Sequence, residues 1–126
     1  MVAAAAVSRH KRAIMSENHG SCHCGAIKLT LRETPPDVGE CNCSICRRTG
    51  GLWHHITPDK VGVEGEGVAY RQGDCMLDTW HCGTCGCTTH WTPVDPEYPR
   101  MAVNLRMFEP ELWRDLPRRF IDGASY

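Results

Sequence analysis

Hydrophobic and polar residues alternate with period two along much of the chain, the mark of strands with one buried face. In residues 26–32, Ile27, Leu29 and Leu31 share one face while Lys28, Thr30 and Arg32 share the other. Thr34-Pro35-Pro36 ends that strand, because proline offers no N–H to a sheet. Residues 52–56 read as a short strand. Within 61–70, Val61 and Val63 on one arm and Val68 and Tyr70 on the other, with Gly62, Gly65 and Gly67 interspersed, predict a hairpin. Residues 78–82 and 88–92 predict two strands flanking a Cys-Gly turn, and 101–105 another after the proline-bounded loop 93–99. Helical character is confined to one turn in 44–49, stopped by Gly50-Gly51, and to 110–116. There Pro110 stands near the first turn, and Leu112, Trp113 and Leu116 share a side. No internal repeat of solenoid length is present. The expectation is a mainly β protein with little helix.

Composition changes the picture in one respect. A chain of 126 residues has room for one ordinary domain, and its hydrophobic content is 41% with only 7% aromatic. That is thin material for a core that must outweigh chain entropy. Something besides apolar burial should hold the fold. Arg9, Lys11 and Arg12 stand against Glu17 alone near the start, whereas the remainder is acidic. Residues 1–18 are therefore read as a disordered tail and 19–126 as the domain. The net charge of −1 supplies no field to gather nucleic acid. No stretch approaches the roughly 20 apolar residues that cross a bilayer, and the apolar run 2–7 is too short for a secretory core. The reading is a cytoplasmic protein with no membrane or nucleic-acid partner; no oligomeric state follows.

Nine cysteines carry the chemistry. Their odd number disfavours complete disulfide pairing, and a reducing compartment favours thiolate ligation. Three clusters stand out: Cys22-His23-Cys24, Cys41-Asn42-Cys43-Ser44-Ile45-Cys46 and Cys82-Gly83-Thr84-Cys85. A C-x-x-C turn puts two sulfurs on one side of a bend, and a C-x-C pair does so at a strand end. Joining Cys22 and Cys24 to Cys82 and Cys85 would close a four-thiolate zinc site worth on the order of 10 kcal/mol to folding. Spacing alone does not say which knuckle joins which. Cys41, Cys43 and Cys46 have no fourth partner in their own segment. Three protein ligands and an exchangeable one is the catalytic zinc pattern. A fourth ligand from Cys75, Cys87, His54, His55 or His81 would close the site instead, and spacing leaves the two readings level.

The motif Gly20-Ser21-Cys22-His23-Cys24-Gly25-Ala26, followed by Cys41-Asn42-Cys43-Ser44-Ile45-Cys46-Arg47-Arg48-Thr49-Gly50 and His81-Cys82-Gly83-Thr84-Cys85-Gly86, resembles the signature of the glutathione-dependent formaldehyde-activating enzyme family, which also includes centromere protein V. The closing Phe120-Ile121-Asp122-Gly123-Ala124-Ser125-Tyr126 resembles that family's C-terminal end, so the likeness spans about residues 19–126. The resemblance implies a β-tent of small antiparallel sheets and two zinc ions per chain. One is structural, on Cys22, Cys24, Cys82 and Cys85; the second, catalytic, is on Cys41, Cys43 and Cys46. It also implies a carbon–sulfur lyase-like reaction between glutathione, or a related thiol, and formaldehyde or another small aldehyde. The late knuckle departs from the family pattern, with His81 before it and Cys87-Thr88-Thr89-His90 after it. Cys87 is near enough to compete as a ligand, yet Cys75 and Cys87 are read as buried or inert thiols.

An open zinc position lowers the pKa of a bound thiol from about 8.5, or polarises a carbonyl oxygen. Arg47 and Arg48 follow the cluster directly. They can stabilise a developing alkoxide or grip a carboxylate; as surface charge on a short turn they would do neither. On a strand, only one of His54 and His55 can face the site. Trp53, Trp80, Trp91 and Trp113 are read as core. No phosphate loop or dinucleotide fingerprint is present. Two function classes remain: a small zinc enzyme with an exchangeable ligand beside a pocket, and a zinc-stabilised protein-binding module with four protein ligands at both metals.

Overall fold

The computed structural model describes residues 17–73 and 75–125. These form ten short strands: β1 (Asn18–Ser21), β2 (Lys28–Leu31), β3 (Val38–Cys41), β4 (Trp53–Ile56), β5 (Val61–Glu64), β6 (Gly67–Arg71), β7 (Leu77–Cys82), β8 (Thr88–Pro93), β9 (Met101–Asn104) and β10 (Arg118–Ile121). Two single helical turns, α1 (Cys46–Thr49) and α2 (Pro110–Trp113), complete the regular structure with three short 3-10 turns. The expected tail lies outside the described residues up to residue 16, and β1 already begins at Asn18.

Strands β1, β2 and β5 make a three-stranded antiparallel sheet, and β10-β3-β4-β9-β8-β7-β6 a seven-stranded one. All neighbours in the larger sheet run antiparallel except β10 and β3, which are parallel. The core lies between the sheets: Ile27, Leu29 and Leu31, the alternating face read from sequence, meet Val38, Leu52, Ile56, Met101, Val103, Leu105 and Phe108. Leu112, Trp113 and Leu116 pack against the same cluster, as their shared side predicts.

The expected hairpin over 61–70 does not form. Both of its arms are strands, but β5 pairs with β2 and β6 with β7. Gly65 turns the chain at φ 96°, where a Cβ would run into the carbonyl oxygen of Ala26. The backbone thus passes from one sheet to the other at this turn, and each arm finds its partner in a different sheet. Period two identified the strands and was silent on their partners.

Register lines up one row of side chains across the larger sheet. Tyr70 pairs with Thr79, Thr79 with Trp91, Trp91 with Ala102, and Ala102 with His55. The residues alternating with these, Trp80, His90, Val103 and His54, form a second row on the opposite face. The first row floors a cavity.

Candidate metal centres and the cavity beside one of them

The turn after β1 carries Cys22 and Cys24, while Cys82 ends β7 and Cys85 sits in the turn before β8. The two knuckles are built alike. Cys22 N–H donates to Ile27 O and Cys82 N–H to Cys87 O, and each turn reverses through a glycine at φ 82°, Gly25 and Gly86. Backbone amides point at the sulfurs: Ile27 N at Cys22 Sγ (3.3 Å), and Thr84 N and Cys85 N at Cys82 Sγ (3.3 and 3.5 Å). The four sulfurs lie within 4.8 Å of one another, with Cys22 to Cys24 at 3.7 Å and Cys24 to Cys82 at 3.6 Å. A zinc tetrahedron with 2.3 Å bonds has an S···S edge of about 3.8 Å, so the donor set fits that ion. One knuckle belongs to each sheet, and a metal held there ties the two together.

The crowding moves these thiols in opposite directions. The amides of Cys87 and Cys24 hold Cys85 down to about 5, and the amides of Cys85 and Thr84 lower Cys82. Although the amide of Ala26 works the other way, the sulfur of Cys82, desolvation and the further sulfurs push Cys24 up to about 11. Four crowded thiols cannot all ionise without a cation among them. Cys87 stays outside this group, and Cys75 is exposed elsewhere at φ 59°. All nine cysteines are free thiols.

Cys41 ends β3, Cys43 follows in the turn, and Cys46 opens α1, whose end is fixed by Gly50 at φ 68° donating to Cys46 O. These three sulfurs also lie within 4.8 Å of one another. Among the described residues no fourth cysteine, histidine or carboxylate joins them. The amides of Cys43 and Cys46 point at Cys41 Sγ (3.5 Å) and Cys43 Sγ (3.4 Å). Burial first, and then the neighbouring sulfurs, push the Cys46 thiol up; for Cys43 burial is outweighed by the amide of Cys46 and the adjacent thiols, which bring it down. The three sulfur donors suit a soft divalent ion.

The C-terminal segment braces this loop. Asn42 N–H donates to Ile121 O, its Nδ2 donates to Asp122 Oδ1 (2.9 Å), and Ala124 N–H donates to its Oδ1 (2.9 Å). Gly123 lies so close that a Cβ would stand 2.5 Å from Cys41 Sγ and 3.1 Å from Cys43 Cβ. Gly123→Ala must therefore move Cys41 Sγ or the segment that braces it. The expected result is zinc affinity about ten- to a hundredfold weaker at this group with the four-cysteine group unaffected, read by chelator competition that counts both ions.

A cavity of about 880 Å³ opens between the cysteine loop and the floor row of the large sheet. Cys41, Cys43, Cys46, Arg47 and Arg48 line one side; Trp53, His55, Tyr70, Leu77 and Trp91 line the other. No aspartate or glutamate lines it among the described residues. Arg47 and Arg48 are exposed at its edge, Arg48 donating to Ser44 O at 2.7 Å. Of the paired histidines, His54 is buried against Glu33 (2.8 Å) and only His55 faces the cavity, as strand alternation requires. The tryptophans divide. Trp53 and Trp91 are buried and yet form cavity wall, which the reading of all four as core did not foresee. Trp53 Nε1 is buried without a hydrogen-bond partner among the described residues.

Matching of the sequence to protein families decides the kinship. The family described as glutathione-dependent formaldehyde-activating enzyme matches residues 17–115. The chain belongs to that family. A Halomonas elongata protein named "Putative glutathione-dependent formaldehyde-activating enzyme" is 28% identical over 109 residues, covering 79% of this chain and 68% of the relative. The crystal structure of a Rhodobacter sphaeroides protein, a structural genomics target, superposes with a TM-score of 0.65 at 28% identity, covering 80% of this chain and 99% of that one. In this family member no helix of the described residues is long and apolar enough to cross a membrane.

Two histidines give the fold a pH dependence. Burial, helped by the charges of Arg119 and Arg100, pushes His55 down to about 4, and burial alone does the same to His90. In the unfolded chain both titrate near 6.5. Between about pH 6.5 and 4 the unfolded state takes up protons that the native state refuses, so stability falls as pH falls, by up to about 1.4 kcal/mol per unit for each histidine. Above about 6.5 they impose no slope. His90→Phe should therefore gain on the parent protein between pH 7.5 and 5, measured by denaturant unfolding with zinc in excess.

Proposed function

We propose that the chain is a zinc-dependent enzyme that joins glutathione, or a related thiol, to formaldehyde or another small aldehyde, a carbon–sulfur lyase reaction run in the direction of addition. The observation that carries this reading is the three-cysteine group with no fourth protein donor among the described residues, placed on the wall of the cavity. A binding module with two closed sites would have no use for that arrangement. Zinc held by Cys41, Cys43 and Cys46 supplies an exchangeable position that favours thiolate over thiol and draws electrons from a carbonyl oxygen. Zinc on Cys22, Cys24, Cys82 and Cys85 is structural.

The chain's own residues supply binding and orientation. Arg47 and Arg48, with no acidic neighbour among the described residues of the lining, suit an anionic tripeptide whose carboxylates accept paired N–H bonds. His55 is a neutral donor at working pH: Arg119 has only N–H groups to offer its Nδ1 (3.4 Å), so the ring proton sits on Nε2. In the reaction a C–S bond forms, the carbonyl π bond breaks, and the proton lost from sulfur is balanced by one gained on oxygen. The Nε2–H of His55 stabilises the oxygen as its charge grows. The reducing cytoplasm suits a chain whose nine cysteines are all free.

The test is zinc stoichiometry on metal-replete protein, with X-ray absorption counting sulfur and light-atom ligands before and after glutathione. The expected result is two ions, one with four sulfurs and one with three sulfurs plus a light atom that glutathione replaces. Two closed sites indifferent to glutathione would overturn the enzyme reading and favour the binding module.

A further inference from the structure

The wall facing the cysteine loop is not suited to a one-carbon aldehyde. At about 880 Å³ the cavity lies near the top of the roughly 300–1,000 Å³ range of pockets that enclose drug-sized ligands. Its charged groups lie on the loop side, at Arg47 and Arg48 beside Asn42, Ser44 and Thr49, whereas the polar groups of the sheet side, Gln72, Thr79 and His55, carry no acidic charge. The sheet side presents the exposed ring of Tyr70 and the side chain of Leu77, backed by the edges of the buried Trp53 and Trp91, with Thr79 and His55 the polar positions of the register row. Tyr70 is 57% exposed there, although an aromatic ring left in water at the mouth of a cavity adds nothing to the fold. Glutathione is polar at both ends, and its carboxylates belong with the arginines. A hydroxymethyl group adds one carbon and one hydroxyl, which covers almost none of the aromatic wall.

From this division we propose that the carbonyl partner is an aldehyde bearing a bulky apolar group of aromatic breadth, seated against Tyr70, Leu77 and Trp91 while its carbonyl carbon meets the thiol at the cysteine loop. This inference rests on the thiol and aldehyde reading above and narrows it. The addition is the same: the sulfur bonds to the aldehyde carbon, and the oxygen of the former carbonyl ends as a hydroxyl. Burial of the apolar group against the wall supplies affinity that the one-carbon adduct lacks.

Stable thioethers stand in for the adducts. Zinc-loaded full-length protein is titrated with glutathione, S-methylglutathione and S-benzylglutathione, by calorimetry and by the emission of its tryptophans. Glutathione should bind, and S-benzylglutathione should bind at least about tenfold more tightly than S-methylglutathione, with a change in tryptophan emission. Tyr70→Ser and Leu77→Gln, checked for native zinc content, should each bring the ratio of the two thioethers towards one. Glutathione binding with a benzyl-to-methyl ratio near one would overturn the bulky aldehyde and leave the thiol reading standing. A ratio untouched by both substitutions would place the benzyl group elsewhere and overturn it equally. Failure of all three ligands to bind would overturn both.

Discussion

Cys82→Ser is expected to leave the domain unfolded under conditions where the parent protein is fully folded. Cys82 is 1% exposed, ends β7, and is the sulfur on which two backbone amides converge. It also belongs to the main core cluster, as does Cys22 on the other knuckle. A metal on the four sulfurs therefore crosses the seam between the sheets, where the aromatic core is thin. Structural zinc contributes on the order of 10 kcal/mol of apparent binding energy, whereas a domain is stable by about 5–15 kcal/mol in all. Losing one thiolate removes most of that margin. If the four sulfurs held no metal, the same substitution would cost only a badly placed hydroxyl, about 1–3 kcal/mol, and the melting temperature would drop by several degrees with the fold intact. Circular dichroism and zinc content of the purified variant separate these outcomes. Slow chelation of the parent protein should reproduce the unfolding in one cooperative step.

How much of this was legible in the sequence depends on which physical signal each element carries. Ile27, Leu29 and Leu31 announce β2 because one face is buried and the other wet, and all three are fully buried. Pro110 and the apolar side of α2 are equally plain. Strands β1, β3 and β10 went unread because they lack that contrast. Asn18–Ser21 is polar, Val38–Cys41 holds a glycine, and Arg118–Ile121 is an edge strand with mostly exposed side chains. Their pairing comes from long-range hydrogen bonds, which leave no periodic trace. The same limit explains the unformed hairpin, since the choice of partner for β5 lies in β2 and the turn at Gly65. At the metal centres the local spacing sufficed to mark the ligands, because each cluster is nearly contiguous. The pairing of Cys22 and Cys24 with Cys82 and Cys85 needed the fold. The clasp of Asn42 on Asp122 and Ala124, the contact of Gly123 with Cys41, and the hold of Arg119 on His55 join residues far apart in the chain. An Asn inside a cysteine motif and an Asp-Gly near the C-terminus were the available hints, and neither names its partner.

Cys43→Ser should separate the two metal centres by their consequences. Cys43 is half-buried in the turn before α1, and its backbone carbonyl still accepts the Arg47 N–H when the side chain changes. The neighbouring segment is held independently through Asn42, and the core between the sheets lies elsewhere. The fold should thus survive, with a melting temperature within a few degrees of the parent and zinc content falling from about two ions to about one. Catalysis should fall by about a thousandfold or more, since an open metal position contributes several kcal/mol to stabilising developing charge and each 1.36 kcal/mol is a factor of ten. Hemithioacetals also form without help, so the rate of exchange between free thiol and adduct, followed by magnetisation-transfer NMR, reports the loss where product yield would not. An unfolded Cys43→Ser would make the three-cysteine group a second structural staple, and the case for an open site beside the cavity would fall with it. A folded variant with one zinc and an undiminished exchange rate would move the chemistry away from the metal altogether, leaving the arginines and His55 to account for it. Three sulfur donors on a loop braced through Asn42 rather than through the metal, facing a cavity without an acidic residue in its described lining, point to the folded variant with one zinc and a lost rate.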